Sequence, residues 1–387
     1  MGAFRHDPSI RLCTSGQHDR VDWDVEPVIT ALREFVYYNK TLDSTVRVSL
    51  SATQIIIEGV GLIVCSDDGY VRLLKLDLGA QFWELRLAAP IYSSPIYLRD
   101  KKTVVVCSTG GTVCAISLTG KALWRASLPC PVYAGSVYCE GIIFVATFNY
   151  NLYLLNADTG AIIRHCHLPP PRGAKINGLA AFRDPYGSPC IVDNNVVVVC
   201  GEHILCFSGA GDVIWSTALS ALIKSSPAFS KTADCLLVAS VDGKVTLLNP
   251  KSGSPVHEVV CAAKIIHSPA ISGDIACIGD ESGTIYGIDL KHYNVIWTYS
   301  VGAALGYSSV TLNPVGDFIL VTERGNALCL SKEHGNFLWE TSQNLQMENH
   351  ERTMQTTPII SNQGDMYCGS YSGYLYRFNF LSLRASK

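Results

Sequence analysis

Residues 111–124 read Gly-Thr-Val-Cys-Ala-Ile-Ser-Leu-Thr-Gly-Lys-Ala-Leu-Trp. A glycine opens the stretch, an alternating run follows over Thr112–Ser117, and Thr119-Gly120 interrupts the run before Trp124. A glycine-containing turn between two apolar runs is the sequence signal of a β-hairpin. The stretch therefore predicts the last two strands of a small antiparallel unit, with Trp124 at the start of the final strand.

Tryptophan recurs along the chain at intervals of roughly 40 residues, or about twice that. The tryptophans in this register are Trp83, Trp124, Trp215, Trp297 and Trp339. Trp23 lies outside it. Self-similarity at such a period indicates one supersecondary unit stacked on itself, because a single copy is too small to bury its own apolar face.

Each unit opens with a short motif ahead of its first strand, which we call the lead-in motif. Clear copies are Ser93-Ser94-Pro95, Ser225-Ser226-Pro227, His267-Ser268-Pro269 and Thr356-Thr357-Pro358. Degenerate copies are Ser51-Ala52-Thr53, Ala134-Gly135-Ser136, Asn177-Gly178-Leu179 and Tyr307-Ser308-Ser309. A buried run such as Val104–Cys107, a tight turn such as Asp67-Asp68-Gly69, an alternating strand and the tryptophan strand then follow. The sequence therefore predicts an all-β, eight-bladed β-propeller of four-stranded antiparallel blades.

The two ends of the repeat are less regular. The last unit reaches Lys387 without a fourth strand, so we expect an N-terminal strand at about Ser44–Leu50 to close the ring. Residues Glu26–Tyr38 have apolar residues at helical spacing, which predicts a short helix. The resulting division is an N-terminal extension over 1–38 and a propeller over 39–387. An insertion at Arg183–Pro189 has the composition of an exposed loop.

Composition limits the classes of partner and compartment. Charged residues make up 16% of the chain and the net charge is −3, with no block of like charges. A nucleic-acid or membrane partner therefore has no electrostatic support. The 15 cysteines include no adjacent pair and no CxxC, and no signal peptide is visible. So many unpaired thiols favour a reducing compartment, and we expect a cytoplasmic protein.

Several residue groups could carry chemistry, but each has a simpler interpretation. Asp67 and Asp68 could bind a cation, yet Asp before Gly is usual in hairpin turns, and Asp242, Asp280 and Glu281 occupy equivalent turns. The glycines at Gly110-Gly111 and Gly209-Ala210-Gly211 precede strands, whereas a phosphate loop needs a helix. Ser93, Ser225 and Ser268 recur at one register, which indicates a structural role.

The histidines and lysines also allow both a functional and a structural interpretation. His165 and His167 could share a strand face and bind a metal, and His257 and His267 lie in adjoining units, but spacing shows no third ligand. Lys175, Lys224, Lys264 and Arg352 fall near strand-leading loops and could place positive charge on one rim, although dispersed cations are usually solvated. The sequence assigns no catalytic, cofactor-binding or metal-ligating residue.

The repeat signature resembles that of a known family. It combines Ser-Ser-Pro, a run with Gly-x-(Val/Leu/Ile)-x-x-(Leu/Ile), and Thr-Gly-x-x-(Leu/Ile)-Trp, best seen in Gly111–Trp124, Asn151–Gly160 and Lys244–Gly253. This resembles the pyrroloquinoline-quinone (PQQ) repeat of quinoprotein-dehydrogenase-like propellers, over roughly residues 44–387. The enzymes of that family place a quinone and Ca²⁺ above the axis beside an adjacent Cys-Cys pair. This chain has no such pair, and we expect no cofactor.

Within the family, the chain looks most like the C-terminal propeller of aminoadipate-semialdehyde dehydrogenase-like or β-alanine-activating enzymes. The resemblance implies a non-catalytic module for substrate recognition or protein docking, whose partner is a protein or peptide, such as an adenylation or carrier domain. One alternative is a PQQ-dependent or other small-molecule dehydrogenase with its site in the central funnel. Another is a bacterial-type assembly lipoprotein of the same fold.

Overall fold

Strands make up all of the regular structure in the part of the chain that is described. A computed structural model describes residues 21–39, 41–172, 175–176, 179–180, 184–305, 308–341, 354 and 356–380. The first 20 residues of the N-terminal extension lie outside the described ranges. Among the described residues, no helix is present that could cross a membrane.

The described strands form eight four-stranded sheets, named here blades 1 to 8, and two two-stranded hairpins. Apart from β1, the strands of each blade follow one another in chain order. Ahead of blade 1 are β1 (Val28–Glu34), β2 (Val36–Asn39) and β3 (Ser44–Arg47). Blade 1 has β4 (Ile55–Ile57), β5 (Gly61–Cys65), β6 (Tyr70–Leu74) and β7 (Gln81–Arg86). Blade 2 has β8 (Ile96–Leu98), β9 (Thr103–Cys107), β10 (Thr112–Ser117) and β11 (Ala122–Ser127). Blade 3 has β12 (Ser136–Cys139), β13 (Ile142–Thr147), β14 (Asn151–Asn156) and β15 (Ile162–His167).

A short hairpin of β16 (Lys175–Ile176) and β17 (Leu179–Ala180) leads to the second half of the ring. Blade 4 has β18 (Cys190–Val192), β19 (Asn195–Cys200), β20 (His203–Phe207) and β21 (Val213–Ala218). Blade 5 has β22 (Ala228–Ser230), β23 (Cys235–Ala239), β24 (Lys244–Leu248) and β25 (Pro255–Val260). Blade 6 has β26 (Ala270–Ser272), β27 (Ile275–Gly279), β28 (Thr284–Asp289) and β29 (Asn294–Ser300). Blade 7 has β30 (Thr311–Leu312), β31 (Phe318–Val321), β32 (Ala327–Leu330) and β33 (Phe337–Glu340). Blade 8 has β34 (Ile359–Ile360), β35 (Asp365–Gly369) and β36 (Tyr374–Asn379), and β1 completes it.

The predicted eight-bladed propeller of four-stranded antiparallel blades is confirmed. The first strands of neighbouring blades contact one another, so these strands surround the axis and the fourth strands form the circumference. Eight apolar clusters each combine residues of two neighbouring blades, including one between blade 8 and blade 1. The apolar core is therefore a closed ring between the blades, which leaves no sheet face uncovered.

The strand that closes the ring is not the one that the sequence analysis predicted. β1 (Val28–Glu34) pairs antiparallel with β36, whereas β3 (Ser44–Arg47) pairs only with β2 in a two-stranded hairpin. The prediction of a helix over Glu26–Tyr38 is also wrong. The apolar spacing that suggested it equally suits an edge strand, because Val28 and Leu32 share its exposed face while Phe35 turns into the core. Pairing with β36 overrides the local pattern.

Blade 4 corrects a second prediction. Its first strand begins at Cys190, so its lead-in motif is Gly187-Ser188-Pro189 and not Asn177-Gly178-Leu179. Asp184 and Ser188 are almost fully buried, which means that the C-terminal part of the expected loop Arg183–Pro189 belongs to the axial structure. Arg183, Asn177 and Gly178 lie outside the described residues. The insertion thus ends earlier than its composition indicated.

The recurring tryptophans fasten each blade to the next. Trp83, Trp124, Trp215 and Trp297 each donate the indole N–H to a backbone carbonyl of the following blade, at 2.9–3.0 Å. The indole rings lie against a turn glycine of that blade, as Trp124 does against Gly160. In blade 3, Arg164 replaces the tryptophan and donates to the carbonyl of Ala210. The tryptophan register therefore records contacts between blades.

Trp23 takes part in the equivalent contact where the N-terminal segment closes the ring. Blade 8 has no turn of its own between its third and fourth strands, because the fourth strand comes from the N-terminus. The N–H of Trp339 instead bonds to the carbonyl of Trp23 at 2.9 Å. The ring of Trp23 packs on Phe380, 4.8 Å between centroids. The tryptophan that stood outside the register thus takes part in closing the ring.

Candidate functional site

The loops that lead into the innermost strands converge at one end of the axis. Over the described residues, these loops share an order of positions: a buried apolar anchor, a position that is partly exposed in blades 1 to 5, and the two lead-in residues. In blade 2 these are Ile91, Tyr92, Ser93 and Ser94. The anchors that are described in six other blades are buried as well, namely Leu50, Val132, Pro185, Ile223, Ile265 and Met354. Burial of the anchor fixes the direction in which the next side chain points.

The first lead-in residue holds its own blade. Ser93 Oγ donates to the carbonyl of Cys107 at 2.6 Å, and Ser225 Oγ donates to that of Ala239 at 2.9 Å. In blade 6, His267 occupies this position, with Nδ1 3.2 Å from the carbonyl oxygen of Gly279. Ser93, Ser225 and His267 are 0–1% exposed. Ser93, Ser225 and His267 therefore have a structural role, as the sequence indicated for the two serines. Ser268, which the sequence analysis placed at the same register, is instead the second lead-in residue of blade 6.

The second lead-in residue links neighbouring blades around the axis. The backbone N–H of one blade donates to the hydroxyl oxygen of the equivalent residue in the next blade. The series comprises Gly135 to Ser188 (2.9 Å), Ser188 to Ser226 (2.9 Å), Ser226 to Ser268 (2.9 Å), Ser268 to Ser309 (3.1 Å) and Ser309 to Thr357 (3.0 Å). The loops around the axis are therefore tied to one another as well as to their own strands.

The exposed position carries a row of aromatic side chains on three successive blades. Tyr92, Tyr133 and Tyr186 occupy it in blades 2, 3 and 4, and Lys224 occupies it in blade 5. Phe148, from the turn between β13 and β14, stacks on Tyr133 with centroids 4.0 Å apart and rings nearly parallel. All five side chains are half-buried, so each keeps part of its surface in solvent. We call these five residues the mouth arc.

The members of the mouth arc touch one another in sequence. The ring centroids of Tyr92 and Tyr133 are 5.4 Å apart, those of Tyr133 and Tyr186 6.2 Å, and those of Phe148 and Tyr186 4.8 Å. Lys224 Nζ lies 4.5 Å from the ring centroid of Tyr186, which is a cation–π contact. Stacked and edge-on contacts of this kind fix the rings in place before any ligand arrives.

A buried ion pair closes the end of the mouth arc. Lys224 Nζ is 3.0 Å from Oδ2 of Asp184, whose side chain is 1% exposed. Burial raises the pKa of the Asp184 carboxyl, while Lys224 and the backbone amides of Tyr186 and Gly201 oppose that shift. A buried carboxylate needs a cation and amide donors to remain charged. Asp184 therefore neutralises Lys224, and the arc presents aromatic surface with little net charge.

The acidic turn residues make contacts with side chains of their own blade or of the loop that leads into it. Asp67 accepts from Ser51 Oγ at 2.9 Å, and Asp68 pairs with Arg72 at 3.1 Å. Asp242 accepts from Ser220 Oγ at 2.9 Å, and Asp280 accepts from the Tyr286 hydroxyl at 2.9 Å. Such contacts are typical of turn residues. Their recurrence at equivalent turns of the repeat predicted this role.

His165 and His167 are neighbours on one strand, whereas His257 and His267 lie at different positions along their blades. His165 and His167 lie on the outermost strand β15 with ring centroids 4.9 Å apart, and His257 stacks on Tyr293 of the next blade. His267 is buried at the axis, far along the blade from the outermost strand that carries His257. Over the residues that the structure describes, no group of three or more His, Cys, Asp or Glu side chains could hold a metal ion.

The expected basic rim is only partly visible. Lys224 belongs to the mouth arc, and Lys264 Nζ lies 3.3 Å from Glu281 Oε1. The side chain of Lys175 and all of Arg352 fall outside the described residues. The glycines at Gly110-Gly111 and Gly209-Ala210-Gly211 lead into strands, with positive φ at Gly111 and Gly211, as turn residues require.

The mouth arc was missed in the sequence analysis, although the sequence carries a signal for it. A tyrosine stands immediately before the lead-in residues in Pro90-Ile91-Tyr92, Pro131-Val132-Tyr133 and Pro185-Tyr186. The misplaced motif of blade 4 concealed the third copy. Aligning the units one residue ahead of the lead-in motif would have brought the tyrosines into one column.

Comparison with known proteins places the chain in a family. A model of PQQ-type repeats, described as outer membrane protein assembly factor BamB, matches residues 53–211 and again residues 201–384. The chain belongs to this family. BamB of Yersinia pestis is 19% identical over 339 residues, which are 83% of this chain and 72% of that protein. The crystal structure of BamB from Moraxella catarrhalis superposes with a TM-score of 0.72 at 13% identity, covering 92% of this chain and all of the other.

One relative within the comparisons is a much longer enzyme. The β-alanine-activating enzyme of Drosophila melanogaster is 24% identical over 220 residues, which are 51% of this BamB-family chain. The chain spans only 21% of the length of that enzyme. The family membership thus agrees with the PQQ-repeat fold, and the likeness to the acyl-activating enzyme is partial.

Proposed function

We propose that this BamB-family propeller is a non-catalytic binding scaffold whose docking surface is the mouth arc. The observation that carries the proposal is the arc itself: four partly exposed aromatic rings from adjoining blades in one continuous row at the mouth of the axis. Exposed apolar surface of this kind marks interaction sites in soluble proteins. Tyrosine is also among the residues that supply most of the binding energy at interfaces.

The rigidity of the loops adds to the proposal. The lead-in loops of blades 2, 5 and 6 are each held by a side-chain bond to their own blade, and the loops of blades 3 to 8 are bonded to their neighbours around the axis. Binding a partner would therefore order few side chains and little backbone, so that little of the contact energy is lost as entropy. A preformed surface on a closed ring suits docking.

The proposed partner is a protein, and more specifically an adenylation or carrier domain. The BamB proteins are named as assembly factors, which supports a protein partner. The partial likeness to the β-alanine-activating enzyme supports an adenylation or carrier domain of an acyl-activating enzyme as that partner. The proposed compartment is the reducing cytoplasm, because 12 of the 14 cysteines among the described residues are buried as core side chains, and so many thiols would be hazardous in an oxidising compartment.

Affinity capture with matched variants tests the proposal. The full chain serves as bait, as wild type, as the double variant Tyr133→Ala/Phe148→Ala, and as Phe82→Ala. Phe82 is 57% exposed on the outermost strand of blade 1, so its variant removes an exposed ring away from the axis. We expect wild type and Phe82→Ala to retain an adenylating or carrier protein that the double variant loses.

Two results would contradict parts of the proposal. Retention of all partners by a double variant whose melting temperature equals that of wild type would exclude the mouth arc as the docking surface. Partners that are lost by the double variant but include no adenylating or carrier protein would refute the partner class alone.

A further inference from the structure

We infer that His165, His167 and Asn151 of blade 3 form a binding site for a divalent metal ion of the kind that imidazole prefers, such as Zn²⁺. The two histidines lie on the outermost strand β15, and Asn151 begins the neighbouring strand β14. These are the third and fourth strands of the blade, whereas the mouth arc lies around the axis. The site is therefore independent of the proposed docking function.

The separation of the two imidazole rings matches coordination of one shared ion. Residues i and i+2 of a strand point to the same face, and the ring centroids of His165 and His167 are 4.9 Å apart. Two imidazole nitrogens at about 2.0–2.1 Å from one tetrahedral ion place their ring centroids about 5 Å apart. Tyr153 stacks on His165 with 5.5 Å between centroids, which holds that ring in position. The pair is therefore spaced for coordination before an ion arrives.

Asn151 supplies a third ligand that the strand of the histidines does not contain. Its side-chain Nδ2 donates to the carbonyl of Asn149 at 3.0 Å, whereas its Oδ1 is buried and has no hydrogen-bond partner. Asn151 is only 7% exposed. A buried carbonyl oxygen without a donor is destabilising, and such a group in a folded protein calls for an ion or a water as partner.

The pairing of the strands brings Asn151 to the histidines. Asn151 lies directly opposite His167, so both side chains point to the same face of the blade. The N–H of Leu168 donates to the carbonyl of Tyr150, which makes the adjoining pair Asn151–His167 a non-hydrogen-bonded one. Side chains approach most closely in pairs of that type.

The donor set selects the class of ion. Two imidazole nitrogens favour Zn²⁺ and similar transition-metal ions over Mg²⁺ and Ca²⁺, which prefer oxygen ligands. Among the described residues, no third His, Cys, Asp or Glu completes a metal-binding group, so the third ligand is the amide oxygen. Both histidines are exposed. The fourth position of a tetrahedral ion is therefore open to water or to a ligand from a partner.

Titration of the full chain with Co²⁺, an analogue of Zn²⁺ that absorbs visible light, tests the site. We expect one equivalent to bind, with d–d bands that Zn²⁺ abolishes on addition. His165→Gln and His167→Gln should each weaken binding about tenfold or more, because each loses a ligand nitrogen. Asn151→Ala should also weaken it, whereas Asn151→Asp keeps an oxygen, adds a negative charge and should bind more tightly. His257→Gln is the matched control, since His257 is also exposed on the outermost strand of its blade, and it should bind like wild type.

Three results would overturn the site. The first is no uptake of Co²⁺ by wild type up to about 1 mM. The second is equal affinity of wild type and the variants at positions 151, 165 and 167. The third is an intense charge-transfer band in the near ultraviolet, which would show thiolate ligands and so assign the ion to cysteines. None of these results bears on the mouth arc, whose variants leave all three ligands in place.

Discussion

In blades 2, 3, 5 and 7, the glycine of the turn before the outermost strand contacts the indole ring of the preceding blade. Gly160 has a φ of 71°, and its α-carbon lies so close to Trp124 that a Cβ there would overlap the indole ring. The adjacent N–H of the same indole bonds to the carbonyl of Ala157 at 2.9 Å. A glycine is therefore required at position 160 both for its positive φ and because it has no side chain that would overlap the indole ring.

Gly160→Ala should separate these two requirements when it is compared with Gly141→Ala. Gly141 has a φ of 85° and open space where the methyl group of an alanine would lie, so its substitution costs only backbone strain of about 1–2 kcal/mol. Gly160→Ala adds displacement of Trp124, which should cost about 1–3 kcal/mol more in the free energy of unfolding. Urea denaturation of both variants measures the difference, and equal losses would show that the tryptophan contact contributes nothing.

Asp280 shows how a buried turn carboxylate is held charged. Burial alone would raise its pKa, but hydrogen bonds from Ser282, Tyr286 and backbone N–H groups outweigh burial and lower the pKa below its usual value. A lowered pKa in the folded state means that the stabilisation is complete above the unfolded-state pKa. The stabilisation is then lost as the pH falls through the folded-state value.

Asp280→Asn should therefore reduce the free energy of unfolding by about 1–3 kcal/mol at neutral pH, and by less as the solution is acidified. Asp158→Asn is the control, since the Asp158 side chain is 66% exposed in its pair with Lys101. Denaturation curves over a pH series give both values. A deficit for Asp280→Asn that stays constant down to acid pH would contradict the assignment.

At the scale of elements, most hairpins could be predicted, because their turns contain glycines that the strand register requires. The buried run Val104–Cys107 and the turn Asp67-Asp68-Gly69 fall where the sequence placed them. The closing strand could not be predicted in this way, since β1 and β36 lie at opposite ends of the chain and only the closed ring brings them together. The spacing of Val28, Leu32 and Phe35 fits a helix and an edge strand equally well, and only the tertiary partner decides between them.

Proline substitutions in the two competing strands test the closure of the ring. Ala31→Pro/Leu32→Pro replaces two successive residues of β1, so at least one lost N–H faces β36. The expected loss is about 2 kcal/mol or more in the free energy of unfolding. Thr45→Pro/Val46→Pro alters β3, which belongs only to a two-stranded hairpin, and should change stability much less.

A larger loss from the β3 variant than from the β1 variant would restore the original expectation that Ser44–Leu50 closes the ring. Thermal unfolding monitored by circular dichroism suffices, because the two variants carry the same number of prolines.

For the whole molecule, the cysteines should behave as core residues. Twelve of the 14 cysteines among the described residues are buried, while Cys130 and Cys166 are partly exposed. Burial raises the pKa of Cys206 and of Cys235 to about 11, and that of Cys261 to about 12. These thiols are therefore both inaccessible and protonated near neutral pH, which makes them poor nucleophiles.

Titration with a thiol reagent at about pH 8 should modify Cys130 and Cys166 rapidly and the buried cysteines only after denaturant is added. A Cys13→Ser variant removes the one cysteine outside the described residues. Rapid modification of most thiols while the circular dichroism spectrum remains native would contradict the closed core.

The mouth arc was the least predictable feature of the whole molecule. The repeat identified the lead-in motifs, but their serines have a structural role, and the exposed residue lies one position earlier. Its partners in space, such as Phe148 on Tyr133, come from a different strand turn, and the Asp184–Lys224 pair joins two blades. Such proximity depends on the curvature of the ring, which a linear repeat does not encode residue by residue.

Site-specific photo-crosslinking tests the central claim most directly. A benzophenone amino acid replaces Tyr133 in one variant and Phe82, on the circumference, in the other, and both variants are irradiated in cells. The mouth arc as docking surface predicts a discrete crosslinked partner from position 133 and none from position 82. A partner that crosslinks from position 82 and not from position 133 would contradict it.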